Sequence, residues 1–392
     1  MTKTAAVIGA GPAGLMAAEV LSAGGMAVTV YDRMPSIGRK FLMAGRGGLN
    51  LTHSEQFDTF LARYGAASSH LRPILEAFTP LALTDWANAL GAQTFTGTSG
   101  RVFPKVMKAS PLLRAWLDRL KYQNVQFSLR HDWQGWSDGA LRFRTLAGDV
   151  TETPDATVLA LGGASWPRLG ADGGWTTLLQ EKGVEIAPLR PANMGFDLGW
   201  SELFRARFAG QPLKNVTLRF NGHAARGDAM VTRYGIEGGA VYALSSVLRE
   251  ALAGAKPITV GIDLRPDLSQ QWIESRLARP QGTDSRANYL RKSLGLSPME
   301  ANLLRETDTP PDRLKSVSVT LIGYQSLARA ISTAGGISFD ALDDTLMLKA
   351  MPGTYAVGEM LDWEAPTGGY LLQACFSTAV FAARAILARM AA

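Results

Sequence analysis

The sequence predicts an α/β protein whose first domain is built from both chain ends and interrupted by a β-rich insertion carrying a helical stretch. Three observations carry that prediction. A strand-like run, Ala5-Ala6-Val7-Ile8, leads into a glycine-rich turn and then a helix; two later apolar runs, Thr157 to Leu161 and Tyr355 to Val357, also end at glycine. From about Pro191 the chain changes to short alternating strands separated by turn residues.

The opening turn reads Gly9-Ala10-Gly11-Pro12-Ala13-Gly14, followed by the helical run Leu15 to Leu21. Gly9 permits the tight turn, Gly11 lets the backbone approach a pyrophosphate, and Gly14 allows close contact of helix and strand. The helix start offers free N–H groups and a positive dipole end, so this segment is read as a dinucleotide cradle. Eighteen residues beyond Gly14, the strand Val28 to Tyr31 ends at Asp32. A carboxylate there accepts hydrogen bonds from a ribose diol and repels a 2′-phosphate, which argues for FAD or NAD and against NADP. A signal peptide or membrane helix is the competing reading of this apolar segment. Gly11, Pro12 and Gly14 inside it, Glu19 at mid-segment and the strand after Gly24-Gly25 argue against that.

The stretch from Gly38 to His53 is too glycine-rich for a helix or strand interior and is expected to be a loop that touches a ligand. Residues 55 to 92 look helical. Ser110-Pro111 is expected to cap and start an amphipathic helix to about Lys121, followed by a strand from Val125 to Leu129. The buried strand at Thr157 to Leu161 ends at Gly162-Gly163. In the insertion, Val216 to Phe220 reads as a strand and Ser269 to Glu306 as helical. The insertion is expected to close with a strand at Val317 to Leu321 and a hairpin around Gly335-Gly336. Tyr355 to Glu359 then reads as a third nucleotide-domain strand ending in glycine plus acid, and Thr367-Gly368-Gly369-Tyr370 opens a helix to the C-terminus. These boundaries give a nucleotide-binding domain at 1–190 plus 340–392, a β-rich domain at 191–265 plus 310–339, and a helical subdomain at 266–309.

Composition excludes several classes. The 392 residues are 46% hydrophobic and 19% charged, ordinary for a globular protein and unlike a disordered one. A single cysteine, Cys375, forbids an internal disulfide and fits a reducing, cytoplasmic setting; the four scattered histidines give no metal-ligand spacing. The net charge is +6, with a local excess between Arg101 and Arg130, where seven Lys and Arg face the single acid Asp118. Such charge usually solvates a surface, and it also permits a phosphate-rich partner such as RNA.

Five separated blocks together resemble one family: GAGPAG, GRKFLMAGRGGLNLT, ALGGASWPRLGADGG, TAGGIS and YAVGEMLDWEAPTGGYLLQACFS. They are similar to the HI0933-like or BaiN-like flavoproteins, NAD(P)/FAD-dependent oxidoreductases, across nearly the whole chain. The resemblance implies a Rossmann-like FAD-binding domain made of both chain ends, an inserted β-barrel-like domain and a small helical domain. It implies non-covalent FAD held at Gly9, Gly11, Pro12, Ala13 and Gly14, with Asp32 at the adenosine ribose beside Arg33. Arg39 and Lys40 are expected near the phosphates, and the loop carrying Gly45, Arg46, Gly48, Asn50 and Leu51 against the flavin. Gly162, Gly163, Gly358 and Glu359 are expected at the cofactor, as are Gly368, Gly369, Tyr370 and Leu371.

Two departures from the family pattern bear on chemistry. Where the family often has Gly-Gly-Arg-Cys-Asn, this chain has Gly45-Arg46-Gly47-Gly48-Leu49-Asn50, so cysteine chemistry at that loop is excluded. The family's Thr-His-x-Gly-x-Ser-Gly-Pro appears as Thr232 to Gly239, with Arg233 and Glu237 replacing the histidine and serine.

The helix start at Thr367-Gly368-Gly369 suits a flavin whose reduced form is anionic, because N–H donors and a positive dipole end stabilise charge there. With one dinucleotide fingerprint, NAD(P)H is expected to visit transiently. The leading expectation is hydride transfer from reduced flavin to an electron-poor C=C or conjugated small molecule, a uracil ring in RNA being a secondary one. A flavin oxidase or monooxygenase and a non-catalytic FAD-binding protein are the alternatives. Tyr370, Tyr234 and His53 are weak candidates for the proton donor.

Overall fold

A computed structural model describes residues 2–45, 47–254 and 257–391. The chain forms two compact units, Met1–Pro191 with Ile331–Ala392, and Ala192–Ala330.

The first unit is organised on a five-stranded parallel sheet. Its strand order is Thr354–Ala356, Ala156–Leu159, Thr4–Ile8, Ala27–Asp32, Gln126–Leu129. Thr4–Ile8 sits in the middle because its residues are apolar on both faces: Ala5 to Ile8 are all buried. The edge strand Thr354–Ala356 comes from the far end of the chain, so the sheet is closed by residues more than three hundred positions from its centre. The helix Pro12–Ala23 packs against the C-terminal helix Tyr370–Ala391. Gly24 ends the first of these, where an added Cβ would lie 2.4 Å from Leu387. Tyr370–Ala391 is long and apolar enough to cross a membrane by length and composition, and 56% of its most apolar window is buried inside the structure. Glu19, buried on the opening helix, accepts hydrogen bonds from the indoles of Trp116 (2.6 Å) and Trp86 and an ion pair from Arg119 at 2.9 Å. Those contacts tie the helix to Ala109–Tyr122.

At the sheet's N-terminal end, Asp155 accepts bonds from the Thr4 N–H, the Thr4 hydroxyl and Lys3. The Thr4 backbone bond leads in holding its carboxyl down to about 2, from 3.8. A depressed carboxyl stabilises the fold above its unfolded value and loses that contribution as pH falls through the folded one. Asp155→Ala is therefore expected to melt below wild type by a constant margin above about pH 5, with the margin closing toward pH 2 in a calorimetric series.

Four local expectations are corrected. Within the stretch Gly38 to His53, Arg39–Ala44 is a helix and Thr52–His53 a short strand. Six residues free of glycine, several of them strong helix formers, suffice between Gly38 and Gly45, and the glycines only mark the ends. The next helix runs Ala109–Tyr122, with Lys108 as its unbonded N-cap in place of Ser110. Pro111 fits inside its first turn, where no intrahelical N–H is required. No hairpin forms at Gly335-Gly336: both lie in the strand Ser332–Ile337, which pairs with Ile186–Ala192 in the first unit. Their left-handed φ values (82° and 139°) let the strand pass close to neighbouring backbone. An added Cβ would meet the Pro188 carbonyl at 2.1 Å or that of Met360 at 2.4 Å. The return to the first unit therefore comes at Ile331, ahead of the expected 340.

The second unit contains a closed six-stranded barrel of Phe196–Leu198, Gly235–Glu237, His223–Val231, Pro212–Phe220, Ile258–Asp263 and Val317–Tyr324. The helical stretch is three helices, Gln270–Leu277, Arg286–Leu294 and Pro298–Glu306. Ile273, Leu290 and Leu303 from these helices join the same core as the barrel residues Val216, Val260 and Val319.

Candidate functional site

The glycine turn after Thr4–Ile8 is fixed by contacts that leave no room for side chains at two of its positions. Gly9 has φ 110°, and an added Cβ would lie 2.3 Å from the Ala160 carbonyl oxygen. At Gly14 the same atom would lie 1.9 Å from the Gly9 oxygen. Gly11 differs: nothing lies within 4 Å of its added Cβ, so this glycine keeps a free surface open. The Gly9 N–H donates to the Tyr31 carbonyl at 2.8 Å. Asp32 closes the arrangement, its two oxygens accepting from the Ala10 and Met34 N–H groups at 2.7 Å each. Burial raises its carboxyl above the ordinary value, against the pull of those two bonds. Each oxygen keeps a lone pair for a further donor.

That turn forms one wall of a cavity of about 750 Å³, within the range of small-molecule and cofactor sites. Of the residues expected at a cofactor, Gly9, Gly11, Pro12, Ala13, Asp32, Arg33, Arg39, Lys40, Asn50, Gly162, Glu359, Gly368, Gly369 and Leu371 line it. Gly14, Gly45, Gly48, Leu51, Gly163, Gly358 and Tyr370 stand behind the wall. Gly45, for example, packs on Ala109, and Gly48 faces the Met107 methyl. Arg46 lies outside the described residues. The starts of two helices, Pro12–Ala23 and Tyr370–Ala391, both reach this cavity.

A charged cluster joins distant segments on the wall. Glu359 accepts from Lys40 Nζ at 2.8 Å, from the Thr333 N–H at 2.9 Å and from the Gly163 N–H at 3.3 Å, while Lys40 also donates to the Ser165 hydroxyl at 3.0 Å. Gly163 is needed for this approach, since its added Cβ would meet Thr333 Oγ1 at 2.2 Å. Cys375 also lines the cavity; burial, reinforced by the Glu359 charge, pushes its thiol up to about 12 and keeps it protonated at neutral pH.

The cavity also gathers unmet hydrogen-bonding groups. Among the described residues, four buried side-chain atoms have no partner, and three of them belong to cavity residues: Arg39 Nε, Asn50 Oδ1 and Trp133 Nε1. Unsatisfied buried polar atoms are uncommon, and three of these four belong to residues that line this cavity. Two helix starts and the neighbouring Arg39 and Lys40 form a surface suited to an anionic molecule.

Several wall residues were not anticipated. Trp133 and Gln134 lie in the strand Asp132–Ser137, which begins just past the end of Gln126–Leu129 beside Asp32; the His131 N–H donates to the Asp32 carbonyl. Trp166 lines the cavity in the left-handed conformation (φ 58°, ψ 60°), a strained state for an aromatic residue and one that concentrates at functional sites. The positive φ has no single-residue signature. The neighbouring GGASWPRLGADGG block was the available clue.

The proton-donor candidates fare differently. His53 is outside the wall and fully engaged, with Nδ1 accepting the Glu55 N–H at 3.1 Å and Nε2 at 2.8 Å from the Ser99 carbonyl. The Tyr370 hydroxyl donates to Glu55 at 2.5 Å, and burial with that carboxylate raises it well above the ordinary phenol value. Tyr234 belongs to the second unit, where it donates to Glu237 and is likewise raised, chiefly by burial. In the basic stretch, Arg119 is committed to Glu19, whereas Lys105, Lys108 and Arg114 are exposed.

The model of the HI0933-like protein Rossmann domain matches residues 3–385. The chain belongs to the HI0933-like family. The Rossmann-like parallel sheet described above is the fold that this description names. Among curated relatives, a ribosomal RNA dihydrouridine synthase of Escherichia coli K12 is 26% identical over 396 residues, covering 98% of each chain. A 3-dehydro-bile acid delta(4,6)-reductase of Clostridium scindens is 25% identical over 406 residues, again covering 98% of each. In fold, the chain is similar to a 3-ketosteroid delta1-dehydrogenase from Sterolibacterium denitrificans, with a TM-score of 0.56, 12% identity, and coverage of 99% of this chain and 100% of that one.

Proposed function

We propose that this family member is an FAD-dependent reductase that saturates an electron-poor C=C bond in a conjugated substrate, with NAD(P)H as the transient electron donor. The observation that carries the flavin part of the reading is the dinucleotide turn, closed by Asp32, on the wall of a cavity of about 750 Å³ that two helix starts reach. When bound, the flavin supplies hydride transfer. Gly11 and the helix start at Pro12 receive the diphosphate, and Asp32 accepts from the adenosine ribose. Arg39 and Lys40 add positive charge beside the phosphates. Thr367 to Gly369, opening the C-terminal helix, stabilise negative charge on the isoalloxazine with N–H groups and the helix dipole.

Two relatives named for saturating or forming reduced rings, one on a steroid-like acid and one on ribosomal RNA, favour a reductase over an oxidase or monooxygenase. A uracil ring within RNA is the second substrate reading, supported by exposed Lys105, Lys108 and Arg114 and by the name of the Escherichia coli relative. It requires RNA binding that weakens steeply as salt rises. The single cysteine, kept as a thiol, fits a cytoplasmic setting.

The test is the visible spectrum of the purified protein, then anaerobic NADH and NADPH titration with mass analysis of candidate enones and RNA. A product about 2 Da heavier supports the reading. A colourless protein that takes up no FAD, or rapid peroxide formation with no reduced product, overturns it. Within this reading, Asp32→Ala is expected to weaken FAD binding by roughly 10- to 100-fold, measured by equilibrium dialysis, because it removes the ribose acceptor and the clasp on Ala10 and Met34 together.

A further inference from the structure

Beside the cavity, the first unit carries an exposed face that combines aromatic rings with cations. The short strands Thr94–Thr96 and Arg101–Pro104 pair antiparallel, with Phe95 directly opposite Phe103. Side chains alternate along a strand, and burial distinguishes the two faces: Val102 and Pro104 are buried, Arg101 and Phe103 are half-buried, and Phe95 is 44% exposed. The two rings share the outer face, with centroids 5.9 Å apart. Glycines keep the Phe103 ring uncovered, since an added Cβ at Gly97 or Gly48 would lie 3.6 or 3.7 Å from it. Lys105, Val106, Met107 and Lys108 follow, all exposed, and Met107 is held in the left-handed conformation (φ 59°), which is uncommon outside glycine. Between Asp85 and Asp118 the chain has no acid and four cations, Arg101, Lys105, Lys108 and Arg114. Repeated charge of one sign fits a polyanion better than a single carboxylate, and exposed rings fit a planar partner.

This face is rigid and joined to the cavity. His53 Nε2 lies 2.8 Å from the Ser99 carbonyl oxygen and the Ser54 N–H donates to the Gly100 carbonyl at 2.8 Å, which pins the tip between the strands. The Leu49 N–H donates to the Met107 carbonyl and the Leu51 N–H to the Val102 carbonyl, both at 2.9 Å. The hairpin is therefore bonded on either side of Asn50, a cavity residue. We propose that Phe95 and Phe103 form a stacking platform for a base of single-stranded RNA, with Arg101, Lys105 and Lys108 on the adjoining phosphates, so that a neighbouring nucleotide is presented to the cavity. Sheet faces with exposed aromatics bind single strands in this way, the rings taking bases and the cations the backbone. The assignment rests on the RNA reading above and goes beyond it by naming the surface, the kind of contact and an unpaired strand as its occupant. A lipid surface fits less well, because the face is a flat pair of strands rather than an amphipathic helix lying in a bilayer interface.

The experiment measures dissociation constants by fluorescence anisotropy for the full-length protein loaded with FAD, using a labelled oligouridylate of about 12 nucleotides and an abasic strand of the same length. Wild type is expected to bind the oligouridylate at least about fivefold more tightly than the abasic strand. Phe95→Leu keeps an apolar side chain but loses the ring; it should weaken oligouridylate binding about fivefold or more and leave abasic binding unchanged, while Phe95→Tyr stays within about twofold of wild type. The exposure of Phe95 leaves the core intact in both variants. Lys105→Gln combined with Lys108→Gln should weaken both strands and flatten the plot of log Kd against log salt by about 1. Oligouridylate affinity unchanged in Phe95→Leu overturns the proposal, as does equal wild-type affinity for the two strands or a salt slope unmoved in the double variant. Binding to phosphatidylserine–phosphatidylcholine vesicles that Phe95→Leu abolishes while RNA affinity stays would assign the face to a lipid surface and overturn it too. Absence of any RNA binding by wild type at low salt is a different result, and it removes the RNA reading itself along with this surface.

Discussion

Gly14→Val is expected to yield a protein that melts far below wild type and carries no flavin. An added Cβ at this position would lie 1.9 Å from the Gly9 carbonyl oxygen and 3.2 Å from Val7 Cγ1, and neither can retreat. Gly9 is itself pinned against the Ala160 backbone, and Val7 is in the central strand of the sheet. The helix Pro12–Ala23 must therefore lift off the strand. That separation forfeits the packing of both elements, at a cost of roughly 3 kcal/mol or more, in the upper range for single substitutions. It also withdraws the helix start from the cavity. Gly11→Ala is the companion experiment, since nothing lies within 4 Å of its added methyl. That variant should melt like wild type yet bind FAD at least about tenfold more weakly, because the methyl stands where the diphosphate approaches. Differential scanning calorimetry with the ratio of flavin to protein absorbance reads both results. A Gly11→Ala protein that keeps full affinity would remove the diphosphate from this turn.

Glu359→Ala is expected to have the second largest effect. Its carboxylate carries Lys40 Nζ on one oxygen and the Thr333 N–H on the other, and its side chain is 13% exposed against 26% for Lys40. Truncation leaves an ammonium and two backbone N–H groups without their acceptor, with only the Ser165 hydroxyl still paired to Lys40. Breaking such a pair from one side costs about 3 kcal/mol, less than a fully buried charge because Lys40 retains some access to water. Lys40→Met alone should cost less, since Glu359 keeps its two N–H donors. The double variant should then be no worse than Glu359→Ala. Urea unfolding of the three proteins checks the order, and a double variant markedly less stable than either single one would show that the pair is not the coupled unit.

What could be read from the sequence was local. The opening turn is contiguous, and each glycine's task follows from its place between a strand and a helix; the acid at Asp32 stands at a fixed offset from it. Three of the five parallel strands announced themselves as apolar runs ending in glycine. The Glu359 cluster was out of reach because its partners stand 319, 196 and 26 residues away, and nothing near Lys40 signals a carboxylate. The helix Arg39–Ala44 was hidden by the glycines on either side, which mark its ends but read as a loop signal. Gly335 and Gly336 looked like a turn because positive φ is commonest in turns. Here it serves a strand that runs close against two other backbones. Trp133 and Trp166 entered the wall through a strand start and a left-handed residue, features set by tertiary packing rather than by residue type.

The split of the first unit has a consequence for biosynthesis. Thr4–Ile8 and its glycine turn leave the ribosome well before the neighbouring strand Thr354–Ala356 and the helix Tyr370–Ala391. The barrel unit, with a core of its own, lies wholly between them and is complete while the other is still missing its edge strand and one wall. A nascent chain therefore waits with the apolar glycine-turn segment unsheltered until Thr354–Ala356 has been made, a period in which chaperone contact is expected. Prosthetic-group loading belongs after that point, and truncation ahead of Thr354 should yield a folded barrel tethered to an unfinished, unloaded partner.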